Sequence, residues 1–195
     1  MEEDLESVLL RAERDGVRAV GIDVPIGLPA GAWRPADLLA KRRLGAASAR
    51  VFLVPPRVVL AAPDYGTART RCREVMGGKG LSAQTWGLRR PVLAVDELLR
   101  EPDLARDHLV ETHPELSFAA LAGRVLPSMK GLDGRTARLA ALAGWLDLDP
   151  GAVPAGDDHL DAAACAWSAS RWSAGVAEVL GGEPDDRGLP QRIVT

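Results

Sequence analysis

The most constraining feature of the chain is a pair of short apolar runs, each ending in an acid. VRAVGI (17–22) leads into Asp23, and LV (109–110) leads into Glu111. Runs this short and this apolar read as strands buried on both faces, the kind found in parallel sheets. Helical patterns lie around and between them. Leu5, Val8, Leu9 and Ala12 fall at helical spacing within 2–15, and further helices are predicted near 36–45, 64–77, 117–121 and 134–145, with 91–100 a helix or a short strand running into one. VFLVPPRVVLAA (51–62) reads as loop or edge strand because of Pro55-Pro56. A last long helix is predicted from Asp157-Asp158 to Gly181. Strands alternating with helices imply an α/β fold with a partly parallel sheet.

At 195 residues with 47% hydrophobic content, the chain fits one domain, 1–195, with a sizeable core. No run approaches the length of a membrane span. The acidic start MEEDLESVLL does not suit a signal peptide, so a cytoplasmic location is expected. The net charge of −3 provides no global field for nucleic acid, and any such binding would rest on a local basic patch. Cys72 and Cys165 are too few for a disulfide framework and lack zinc-site spacing. Cys165, in AAACAW, reads as a core thiol.

The acids carry the chemistry. Ligands collect at the ends of strands in open α/β sheets, which makes Asp23 and Glu111 candidates. In GDDHLDA, Asp157, Asp158 and Asp161 lie near one face at the start of a helix. One of the first two is explained as an N-cap. Asp161, beside the apolar AAACAW, is costly to bury unless something neutralises it. A divalent cation shared with the strand-end acids would do so, and oxygen ligands favour Mg²⁺ or Mn²⁺ over zinc. Such acids suit two metal ions at a phosphodiester. Asp23, Glu111, Asp161 and one of Asp157 and Asp158 are therefore the candidate ligands, with His113 orienting water or touching phosphate. Arg34, Arg42, Arg57, Lys79 and Lys130 are the basic residues expected at phosphate. GGKGLS (77–82) lacks the Ser or Thr that a phosphate-binding loop needs after Lys79, and no GxSxG or HExxH is present.

An ordered series of segments adds to this reading. It comprises GIDVPIGLP, the Arg34-x-x-Asp37 pair with RRLG, VFLVPPR, GKGLSAQ, AVDELL, VETHPELSF, DDHLDAAACAWSA and DDRGL. Together these resemble the domain-of-unknown-function family 429, described as predicted nucleases with an RNase H-like fold. The resemblance implies a mixed sheet with flanking helices, a metal-dependent acidic site at Asp23, Glu111, Asp158 and Asp161, and phosphodiester hydrolysis. Members begin with a further strand bearing Gly-x-Asp and a hairpin, whereas this sequence opens at the helix. An N-terminally truncated RNase H-like domain is expected, with an open edge at 17–23 that would pair in a homodimer. Two other readings use the same residues: a non-catalytic RNase H-like module binding nucleic acid or protein, and a hydrolase of small phosphorylated metabolites.

Overall fold

A computed structural model describes residues 5–100, 108–149, 151–154 and 156–195. Helix α1 (Leu5–Arg14) turns at Gly16 into strand β1 (Val20–Ile22), and α2 (Pro35–Leu44) follows a long loop. A 3₁₀ segment, Gly45–Arg50, continues α2. Four helices come next: α3 (Arg57–Leu60), α4 (Tyr65–Val75), α5 (Ala83–Gly87) and α6 (Arg89–Leu98). Strand β2 (Leu109–Glu111) runs into α7 (Pro114–Ala122), then α8 (Leu132–Ala143) and α9 (Asp158–Ser173). The hairpin β3 (Val179–Pro184) and β4 (Pro190–Val194) completes the described chain.

The chemistry of the helix starts explains several boundaries. Pro35 and Pro114 occupy the first turns of α2 and α7, where a missing N–H costs nothing. Asp64 and Ser82 accept from the N–H groups of Thr67 and Thr85, capping α4 and α5. Gly123 ends α7 in the left-handed conformation.

The fold is α/β, as the alternation implies. β1 and β2 pair in parallel, with Ile22 opposite Glu111, and β3 and β4 pair antiparallel. A parallel bridge between Thr112 and Val194 joins the two ladders in the order β1-β2-β4-β3. Helix α9 lies against β1 so closely that a Cβ on Gly21 would meet the Cys165 carbonyl oxygen at 2.5 Å. Only glycine fits there. Cys165 and Cys72 are free and buried, and burial pushes the Cys165 thiol up to about 12, so it is an inert core thiol. Among the described residues no helix is long and apolar enough to cross a membrane.

Several expectations need correction. β1 is three residues long and half-buried, with α9 on one face and a looser contact on the other. Residues 51–56 are irregular, but 57–60 form α3, because Pro56 precedes rather than interrupts that turn. The last helix stops at Ser173, not Gly181. Gly175, at φ 70°, breaks it, and the segment beyond returns as β3.

The edge of β1 away from β2 has no strand beside it among the described residues. Thr112 N–H donates to the Ile22 carbonyl, so the backbone groups of Val20 and Ile22 face β2 and those of Gly21 face outward. Along this edge runs a groove of ≈560 Å³ floored by Gly21 and walled by Val8 and Ala12 of α1 and Ala162 and Ala166 of α9.

Candidate functional site

The strand ends, the loop after α2 and the start of α9 enclose a cleft of ≈360 Å³. Asp23, Glu111, His113 and Asp161 all line it, as do Asp37, Glu115 and Asp157. Parallel pairing brings the tips of β1 and β2 to the same side, and α9, packed on β1, starts beside them. Two classes of acid share this cleft, and their hydrogen bonds separate them.

The first class is neutralised from within. Arg34, at the entry to α2, is fully buried. Its Nη1 donates to Glu111 Oε1 and Asp37 Oδ1, both at 3.0 Å. Its Nη2 donates to Glu111 Oε2 at 2.5 Å and to the Ile26 carbonyl at 3.0 Å. Ile26 N–H adds a 2.7 Å bond to Glu111 Oε2, and Val54 N–H one of 2.7 Å to Asp37 Oδ2. Burial pushes Glu111 up to about 7 and Arg34 acts against it. With both carboxylate oxygens already engaged, Glu111 is a structural acid, and Arg34 is out of reach of any phosphate.

The second class is unpaired. Among the described residues neither Asp23 nor Asp161 forms an ion pair. Asp23 is exposed by area but stands in a concave wall whose desolvation raises its carboxyl, with His113 opposing. Burial pushes Asp161 up to about 6, and the neighbouring Asp23 charge adds to the effect; Arg138 works the other way. The Nδ1 of His113 is buried without a hydrogen-bond partner.

Other expected site residues go elsewhere. Asp158 is exposed and does not line the cleft. Asp157, four residues before Asp161 on the same helical face, lines it instead. Asp157 occupies the N-cap position of α9 yet makes no side-chain capping bond. Arg57 is held by Asp96, Asp185 and Asp186 through four hydrogen bonds of 2.5–3.0 Å, so it is a tether between α3, α6 and the β3–β4 turn. Lys79, in the turn after α4, and Lys130 are exposed and outside the cleft, as is Arg42. Three lining residues had gone unnoticed: Arg50, Phe52 and Glu115. Glu115 bonds Arg50 Nη1 at 2.7 Å and Arg138 Nη2 at 2.5 Å. Its place four residues after Glu111 was the one available signal. Among the described residues no group of three or more His, Cys, Asp or Glu is arranged to hold a metal ion. The acids that converge with free oxygens are Asp23 and Asp161, with Asp157 beside them.

Comparison with known proteins adds a family. The sequence pattern of the family described as "Protein of unknown function (DUF429)" matches residues 2–186, and the chain belongs to that family. No curated protein and no solved structure matches it.

Two outcomes follow from the contrast between paired and unpaired acids. Arg34→Met should lower the unfolding free energy in urea by about 3–5 kcal/mol, because it leaves Glu111 buried without its partner. Glu111→Gln in the same chain should recover part of that loss. Asp161 titrates from an ordinary 3.8 to about 6 in the fold, so the folded state holds the proton more tightly. Its contribution is fully present below about pH 4 and is lost as pH rises through about 6. In EDTA, thermal melts of Asp161→Asn should therefore gain on the wild type between pH 4 and 7.

Proposed function

We propose that this member of the DUF429 family is a divalent-metal-dependent hydrolase of phosphoesters, with its site in the cleft between Asp23 and Asp161. The carrying observation is that these two carboxylates, from a strand end and a helix start, line one cleft and form no ion pair among the described residues. Mg²⁺ is typically held by one or two carboxylates, with water and substrate oxygens completing its shell. An oxygen-only pair of this kind fits Mg²⁺ or Mn²⁺ better than zinc. When bound, such an ion supplies Lewis acidity toward a phosphoryl oxygen.

The remaining work falls to the chain's own residues. Asp23 and Asp161 hold the ion, and Asp157 adds negative potential that draws a cation in. His113, which lines the cleft, orients the attacking water. As the water oxygen bonds to phosphorus, the P–O ester bond breaks, and the proton the water gives up is taken by the leaving oxygen. Glu111 stays outside this chemistry and fixes the positions of the two strand ends. Phosphodiester cleavage by a nuclease of RNase H-like fold, as the family resemblance implies, is one form of the reaction. A thermal melt tests the metal. With Mg²⁺ or Mn²⁺ at tenfold excess over its dissociation constant, the midpoint should rise by roughly 3–5 °C over EDTA, reflecting ~1.4 kcal/mol of linkage. Asp161→Asn should abolish the rise. An unchanged midpoint in the wild type would favour the non-catalytic reading.

The outward-facing backbone of Gly21 supports a second proposal, a homodimer paired through 17–23 across a two-fold axis. Light scattering at micromolar concentration should then give twice the monomer mass. A monomer throughout overturns the pairing.

A further inference from the structure

The two linings of the cleft differ in kind, and the difference selects a substrate. Its uncompensated charge is acidic: Asp37, Glu111 and Glu115 are met by Arg34, Arg50 and Arg138, but Asp23, Asp157 and Asp161 form no ion pair among the described residues, and Arg50 is the single lining guanidinium. Arg50 is itself engaged, by Glu115 at 2.7 Å and the Leu126 carbonyl at 3.0 Å. A polynucleotide is held by a succession of cationic groups along its backbone, whatever its sequence. No such track enters this cleft. Arg34 and Arg57, close in sequence to its lining, are consumed by internal carboxylates, and Arg89, next to the lining residue Leu88, lies over the Trp86 ring.

Opposite the acids the lining is largely apolar, with Val51, Val54, Pro55, Leu60 and Val92 around Phe52, and Thr85, Thr112 and His113 adding polar groups. Phe52 is 38% exposed, although it is large, aromatic and placed on the cleft. It comes from an irregular segment held by Val54 N–H on Asp37, so the loop is fixed while its aromatic side chain remains open to solvent. A cleft of ≈360 Å³ lies at the small end of ligand pockets. That is room for one phosphoryl group and one ring, not for a helix of nucleic acid.

On these grounds, and resting on the metal reading above, we infer that the cleft takes a small phosphoester whose planar apolar group lies on Phe52. The phosphoryl end meets the Asp23–Asp161 carboxylates through the divalent ion, and the planar end is sheltered by the Val51–Pro55 wall. The acidic lining then acts as a filter. It tolerates one phosphoryl group neutralised by the ion and repels a chain of further phosphates.

Isothermal titration in Mg²⁺ tests this with three probes: phenylphosphonate, methylphosphonate and a twelve-nucleotide single-stranded DNA. Phenylphosphonate should bind roughly tenfold tighter than methylphosphonate, the value of one stacked ring. Phe52→Ala, a change at a partly exposed side chain, should erase that advantage while leaving the melting midpoint and its Mg²⁺ increment in place. The DNA should not compete. Equal affinities for the two phosphonates, an indifferent Phe52→Ala variant, or DNA binding tighter than phenylphosphonate would each overturn the inference. So would the failure of both phosphonates to bind. In every one of these cases a retained Mg²⁺ increment leaves the metal reading standing, whereas its absence shows that the metal reading has failed as well.

Discussion

The fold depends on one buried guanidinium. Arg34 reaches the loop after β1 through Ile26, its own helix through Asp37 and the end of β2 through Glu111. Removing a charge of this kind from water costs several kcal/mol, and only near-complete hydrogen bonding makes it tolerable. Two carboxylates and a carbonyl provide that bonding here, so the three segments can take few other arrangements. The register of Ile22 with Glu111 and the course of the loop from Val24 to Leu28 are both set by it. A similar device holds the other end of the loop, where Asp185 accepts from Leu28 N–H and from Arg57.

This economy of charge explains why the cleft is acidic. The guanidinium groups nearby are spent on structure: Arg34 on Glu111, Arg57 on Asp96 and Asp185, and Arg138 on Glu115. The acids left over are those that no backbone N–H or arginine bonds among the described residues, Asp23, Asp157 and Asp161. Paired and unpaired carboxylates are neighbours here, and what separates them is the number of donors each one receives.

The legible parts of the site were those set by periodicity. Two apolar runs ending in acids had to pair side by side if they were strands, and that alone brought Asp23 and Glu111 to one cleft. The spacing of Asp157 and Asp161 placed them on a common face, although a three-residue spacing made Asp158 look equally suitable. Donor count was not legible. An arginine before a proline reads as a surface residue at a helix start, and nothing local marks Arg34 as buried or Glu111 as consumed. The C-terminal hairpin was missed for a related reason. VAEVLGG continues a helical pattern, and only the pairing of Leu180 with Ile193 in a shared core makes it a strand. The exposure of Phe52 on the cleft depends on a loop held by Asp37, far from its own sequence neighbours.

The bond from Leu28 N–H to Asp185 spans 157 residues. During synthesis at roughly 5–20 residues per second, that amide waits about 8–30 s for its acceptor to emerge. Throughout that interval the loop carrying Asp23 has Arg34 but not yet the clamp at its far end, and the bridge between Thr112 and Val194 cannot close. The early half of the nascent chain therefore carries half-built charge clusters and an uncovered parallel strand. Its safe passage depends on how quickly the last hairpin arrives.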